Sequence, residues 1–340
     1  VRRLLPIVAA LAAMALFGLV VYSVMGTLKS TKNISHKPTQ TQALVALPGT
    51  VTLVQGGNIY RLSGLQFTEV KAPPYDWVQV EPAPDGDILA VAYASMFTNV
   101  YLLTSQGQVV RELLQESSTY YFQNHWAYYP KVSPNGATLF YATDWLDPDD
   151  AYDVDFQIQA VPFANPSAHP TVWSTPNEFQ GGDVEPIPLA NGGIIYAKYA
   201  VATTGATYAQ LVYASSPYAN PVYLTTAAQD CAEPALSPTG TEIAMVCSDN
   251  SLQTTTLEVA SFNGTSIGTP VVVSAGPLPA SPTWSTNGKG LLYLNTLLTD
   301  KASPFQLWWI PNALAAKPSP PQQVTADLDF TATSPPIWSS

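Results

Sequence analysis

Pro234-Ala235-Leu236-Ser237-Pro238-Thr239-Gly240-Thr241-Glu242-Ile243-Ala244-Met245-Val246 is the stretch that decides the fold. It reads as a short strand, a tight turn and a second, apolar strand. Pro238 sets φ where the turn begins, and Gly240 supplies the positive φ that the reversal needs. The same hairpin recurs at Pro82–Val91, Pro130–Tyr141, Pro186–Tyr196 and Pro282–Tyr293. Its turn glycines, Gly86, Gly136, Gly192, Gly240 and Gly288, are spaced by 50, 56, 48 and 48 residues. A spacing this regular marks a repeat architecture.

Each hairpin is followed by a further apolar strand. The six copies are Asn58–Leu62, Asn99–Leu103, Phe156–Val161, Ala209–Tyr213, Thr256–Val259 and Gln306–Ile310, one more than the complete hairpins. The sixth hairpin is split between the termini. Pro336-Ile337-Trp338-Ser339 matches Pro282-Thr283-Trp284-Ser285, and Val51-Thr52-Leu53-Val54 supplies the strand that should come next. The expected fold is all-β: a six-bladed β-propeller of four-stranded blades, with the last strand completing the first blade.

These residues resemble the TolB-like β-propeller repeat, whose hallmark is roughly Pro-x-aromatic-Ser-Pro-Asp-Gly, an apolar strand, then an Ile-Tyr strand. The resemblance covers about residues 49–340. Only Asp85 fills the Asp position; Asn135, Asn191, Thr239 and Asn287 stand elsewhere, and Asn suits the turn as well as Asp does. The resemblance implies a fold used for binding, sensing and as an appendage to enzymes.

Ahead of the repeats, Arg2 and Arg3 precede an uncharged stretch from Leu4 to Leu28. Such a length spans a bilayer's hydrocarbon core as a helix. No small-residue cleavage site precedes Lys29, so residues 1–28 are expected to form a single uncleaved transmembrane signal-anchor. Residues 29–48 then read as a flexible polar stalk, and residues 49–340 as the propeller. Lys29, Lys32 and Lys37 balance Arg2, Arg3 and the amino group, so charge alone does not orient the anchor. The resemblance and the cysteines place the propeller on the extracytoplasmic side of the cell membrane.

Charge excludes one class of partner. All 24 acidic residues lie beyond residue 37 with eight of the 13 basic ones, a net −16. So acidic a surface does not suit a nucleic acid. Cys231 and Cys247 flank the Pro238–Gly240 turn, and antiparallel pairing about it brings them opposite or one residue out of register. An exported domain favours a disulfide between them; the plainer reading is two buried thiols.

Catalytic patterns are scarce. Gly264-Thr265-Ser266-Ile267-Gly268 has the letters of a nucleophile elbow, but no helix pattern and no His follow it. Asp144, Asp147, Asp149, Asp150, Asp153 and Asp155 crowd into 12 residues. Oxygens at that density suit Ca2+, with Asp144, Asp147, Asp149 and Asp153 as ligands, or else form a solvated acidic loop. No other cofactor is implied.

The loops leading into the innermost strands should gather at one mouth of the central channel. They carry Asp76 and Trp77 with Glu81; Tyr121, His125, Trp126 and Tyr128; Asp183 and Glu185; and Asp230 and Glu233. Aromatic faces beside carboxylates suit a protein or glycan ligand, or a cation or basic peptide. Their plainer reading is packing between blades. Three functions stand: a membrane-tethered, non-catalytic binding or scaffold module for a protein or envelope polymer; an enzyme with a metal-assisted or carboxylate site at the channel mouth; and a structural part of an assembly. No catalytic constellation assembles in the sequence, which favours the first.

Overall fold

Sheets covered on both faces need middle strands that are apolar throughout, and this chain supplies one such run per repeat. In the computed structural model, which describes residues 42–120, 123–144, 155–177, 180–249, 254–298 and 303–340, these runs organise six sheets. Blade 1 opens with β1 (Gln42–Gln55) and β2 (Asn58–Glu69). Blade 2 is β3 (Asp76–Pro82), β4 (Ile88–Ala94), β5 (Phe97–Leu103) and β6 (Val109–Leu114). Blade 3 is β7 (Ala127–Val132), β8 (Thr138–Asp144), β9 (Phe156–Pro162) and β10 (Thr171–Val172). Blade 4 is β11 (Asp183–Pro188), β12 (Ile194–Val201), β13 (Thr207–Ala214) and β14 (Val222–Tyr223). Blade 5 is β15 (Cys231–Leu236), β16 (Glu242–Asp249), β17 (Thr254–Ser261) and β18 (Val271–Gly276). Blade 6 is β19 (Ala280–Trp284), β20 (Leu291–Thr296), β21 (Phe305–Ile310) and β22 (Gln322–Gln323).

The chain then returns to blade 1 as β23 (Ile337–Ser339), which pairs with β1 through Val51 opposite Trp338. The split hairpin is thereby closed non-covalently. Trp338 is buried, and its indole N–H donates to Pro48 O at 2.6 Å.

Five blades have four strands, and blade 1 has three where the repeat predicts four. Its outer strand shrinks to one bond, Val70 N to Ile59 O at 2.9 Å. That bond occupies the place where Trp173, Leu224 and Val324 bond Ile158, Leu211 and Leu307 in blades 3, 4 and 6. The start of β1 adds a second tie. It begins at Gln42, inside the segment expected as stalk, because Ala43 and Leu47 are buried in a cluster with Val324 and Leu328 of blade 6. Leu44 N–H also donates to Val324 O at 2.8 Å.

Cys231 and Cys247 lie directly opposite on β15 and β16, with Cα atoms 4.1 Å apart, and are joined in a disulfide. The Gly264–Gly268 segment is a turn closed by Asn263, whose Oδ1 accepts the N–H groups of Thr265 and Ser266. It carries no nucleophile elbow. The expected membrane anchor, residues 1–28, lies outside the described residues. Among the described residues no helix is long and apolar enough to cross a membrane.

Candidate functional site: the central channel and its funnel

The innermost strands β3, β7, β11, β15 and β19 each break register at the same place, between Trp77 and Gln79, Tyr128 and Lys131, Val184 and Ile187, Ala232 and Ala235, and Ala280 and Thr283. These are β-bulges, which re-aim side chains and cluster near functional sites. In four of them the bulged residue is Tyr129, Glu185, Glu233 or Ser281, with φ of +54°, +57°, +52° and +50°. Each of the four precedes a proline: Pro130, Pro186, Pro234 or Pro282. A left-handed non-glycine residue costs on the order of 1–3 kcal/mol and persists only where its surroundings hold it.

What holds them is a chain of bonds from blade to blade around the channel. Gln79 accepts the Tyr129 N–H at 2.8 Å and donates to Thr333 O at 3.0 Å. Glu185 Oε2 accepts the Glu233 N–H at 2.7 Å. Glu233 Oε2 in turn accepts the Ser281 N–H, and Ser281 Oγ donates to Ala332 O. The N–H groups of Tyr129, Glu233 and Ser281 are thus each capped by an inner-strand side chain one blade earlier, Gln79, Glu185 and Glu233 respectively. Between blades 2 and 3, buried Glu81 and half-buried Lys131 form an ion pair.

The channel therefore holds three carboxyl groups, Glu81 buried and Glu185 and Glu233 half-buried, and one ammonium group. Burial raises the pKa of Glu81, and Lys131 partly offsets that rise. Burial drives Glu185 up to about 8, helped by repulsion from Glu233, and Glu233 up to about 7. Tyr129 and Tyr199 face the same pair, and burial raises both phenols well above the ordinary tyrosine value. A cavity of about 50 Å3 lies among Glu81, Tyr129, Lys131, Glu185, Glu233 and Ser281. A water needs about 10–15 Å3 of such space, so the cavity admits a few waters or one small cationic group.

Towards the hairpin turns the channel widens into a funnel of about 760 Å3. All six innermost strands or their turns contribute to it. Its wall is mostly apolar and stiffened by proline: Val132, Ile187, Leu236, Pro238, Trp284 and Ile337 are representative. Glu81 and Lys131 stand where funnel and cavity meet.

Of the residues expected at the site, the structure brings Glu81, Glu185 and Glu233 together in the channel. The others sit elsewhere. Trp77 is buried and donates to Pro73 O at 3.0 Å, with Tyr75 and Tyr101 packed on it. Burial of Asp76 raises its pKa. Asp183 is fully buried and paired with Lys198 at 3.1 Å. Asp230 accepts the Ala209 N–H at 2.7 Å. Tyr128 packs edge-on against Phe156. These contacts join strands and blades, which is the plainer of the two readings given to them.

His125 and Trp126 belong to a second recess. Asp144 lies 3.4 Å from His125 Nδ1 and accepts the Trp126 N–H at 2.6 Å. The Asp144 carboxylate holds the His125 pKa above its usual value, and burial raises that of Glu116 beside them. His125, Asp144 and Glu116 line a cleft of about 580 Å3 between blades 2 and 3. Tyr121, Asp147, Asp149 and Asp153 lie outside the described residues. Among the described residues no group of three or more His, Cys, Asp or Glu is arranged to hold a metal.

Lys131, Ser281 and the funnel wall are site residues that the sequence did not single out. A usable signal was present, because Glu185, Glu233 and Ser281 each stand directly before the repeat's proline.

No known protein family and no curated protein matches the sequence. Solved structures do match. TolB from Acinetobacter baumannii superposes with a TM-score of 0.61 at 15% identity, over 85% of this chain and 66% of that one. A putative TolB from Agrobacterium tumefaciens gives 0.55 at 11% identity, over 84% and 91%. A puromycin hydrolase gives 0.51 at 12% identity, over 87% of this chain and 55% of that one. The chain has the TolB-like six-bladed propeller fold. At such identities the likeness concerns the fold, which binding proteins and enzymes share.

Proposed function

We propose that this propeller is a non-catalytic binding module, tethered to the membrane on its extracytoplasmic side, whose ligand seats in the funnel at the hairpin-turn end. The funnel itself carries the reading. It is concave and large, it is walled by rigid apolar groups, and it ends in a few convergent polar side chains, as ligand sites do. The buried disulfide supports an oxidising compartment. The channel's polar groups support binding over catalysis, since Gln79, Glu185, Glu233 and Ser281 are engaged in holding neighbouring blades.

The test is a peptide and glycan array probed with the full chain and with Thr283→Trp, which places an indole in the funnel. Hits on the parent protein should weaken at least tenfold with Thr283→Trp. They should survive Val110→Trp on the exposed outer strand of blade 2. Hits indifferent to the funnel substitution would place the site elsewhere.

A second reading has one observation behind it. The His125–Asp144 pair beside Glu116 offers a base and a carboxylic acid in one cleft, as hydrolytic sites require. Hydrolysis of an ester or glycoside panel, abolished by His125→Ala, would favour it.

A further inference from the structure

The funnel's floor says what kind of ligand it takes. Glu185 and Glu233 each commit Oε2 to a backbone N–H of the next blade, and among the described residues no hydrogen bond holds either Oε1. Glu81 is already matched by Lys131. Two carboxyl groups therefore share a small cavity with no counter-cation of their own. The groups facing them are Glu81 from β3, Tyr129 and Lys131 from β7 and Tyr199 from β12. Lys131 supplies the one positive charge in that set.

From these two carboxyl groups without a cationic partner and the funnel above them, we propose that the channel receives a polypeptide segment, its apolar part against the funnel wall and one lysine or arginine side chain reaching Glu185 and Glu233. This rests on the funnel being the ligand site and adds the chemistry of the occupant. A basic side chain has an apolar stem and a charged head. The stem suits the proline-lined wall and the head suits the cavity, whose volume of about 50 Å3 accommodates an ammonium or guanidinium tip.

Binding is coupled to protons. Burial raises both carboxyl groups, Glu185 to about 8 with added repulsion from Glu233 and Glu233 to about 7, so near neutrality the pair still holds protons. An incoming cation stabilises their ionised forms, so the pair loses a proton as the ligand docks. Affinity then rises with pH up to the point where the free protein has already released that proton.

The experiment titrates the full chain with four capped pentapeptides, Gly-Pro-X-Pro-Gly, where X is lysine, arginine, norleucine or glutamate. Calorimetry at pH 6.0, 7.0 and 8.0 in buffers of differing ionisation enthalpy reads affinity and proton release together. Lysine and arginine peptides should bind at least tenfold more tightly than norleucine, gain affinity from pH 6.0 to 8.0, and release protons. Glu185→Gln and Glu233→Gln keep an oxygen to cap the next blade's N–H, so the fold should persist. Each should remove most of the lysine preference and its pH dependence.

Three results would overturn the proposal. One is equal binding of lysine and norleucine peptides. Another is a lysine preference that survives both glutamine variants. The third is a divalent metal bound by Glu185 and Glu233 in place of the peptides. If all four peptides bind and Thr283→Trp abolishes them all, the funnel remains the site and only its charge selectivity fails. If none binds, both readings fail.

Discussion

Glu185→Gln should leave the protein about as stable as the parent at pH 5 and more stable than it at pH 8.5. Both carboxyl groups of the Glu185–Glu233 pair have folded-state pKa values raised above the unfolded value of 4.5, to about 8 and about 7. The folded chain thus holds protons that the unfolded chain has released. The stability this contributes is complete below pH 4.5 and is lost as pH rises through 7 and 8. At about 1.4 kcal/mol per pKa unit the two shifts amount to roughly 5 and 3 kcal/mol. The channel cavity has room for a few waters, whose entry would reduce the penalty of a buried charge, so a loss of about 2–4 kcal/mol between pH 5 and 8.5 is the working figure. Glutamine is neutral throughout and keeps the cap on the Glu233 N–H. Urea unfolding followed by tryptophan fluorescence, on parent and variant at both pH values, reads the difference directly. A variant equally destabilised at pH 5 and pH 8.5 would refute the reasoning, because Glu185 would then act through its shape alone.

Closure of the ring gives a second expectation. Trp338→Ala should cost about 3–5 kcal/mol, as for other large buried side chains. Deleting residues 335–340 should cost more and promote aggregation through the exposed edge of β1, read by thermal melting and light scattering. Removing the disulfide by Cys231→Ala with Cys247→Ala should lower stability by about 3 kcal/mol, while two alkylatable thiols in exported, folded parent protein would contradict the bond. Gly182→Ala should be severely destabilising, because Gly182 has φ of +88° and an added Cβ would lie 2.1 Å from the Phe156 backbone. Gly182 forms an isolated parallel bridge with Phe156 of blade 3, and mild destabilisation by circular dichroism would show that this bridge is not needed to join blades 3 and 4.

The fold was legible because its signals are local and repeated. A turn glycine every 48 to 56 residues and a two-face apolar strand after each one leave few alternatives, and the split sixth hairpin even reveals the order of closure. The three-stranded first blade was not legible, since one backbone bond from Val70 stands in for a strand without a pattern of its own. The start of β1 was missed for a related reason. Ala43 and Leu47 look like stray apolar residues in a polar stalk until blade 6 is beside them. At the site, loop aromatics near carboxylates read as a recognition surface, yet Trp77 and Asp183 are consumed by packing and ion pairing that depend on neighbouring blades. Glu185 and Glu233 were expected on separate loops of one channel mouth, beside Asp183 and Asp230, and not as a pair. Their placement inside the channel depends on a bulge, and a bulge is a property of strand register that residue types do not announce.

The central claim, that the funnel at the hairpin-turn end is the ligand site, is tested most directly by photo-crosslinking. A benzophenone amino acid is placed at Thr283 in the funnel, at Trp126 near the opposite end, and at Val110 on the outer strand. Each full-length variant is exported from cells, irradiated in place and examined by mass spectrometry. The account predicts one recurrent adduct from position 283, competed away by the lysine pentapeptide, and no adduct from positions 126 or 110. A recurrent adduct from position 126 with none from 283 would contradict it and return the site to the loops around His125.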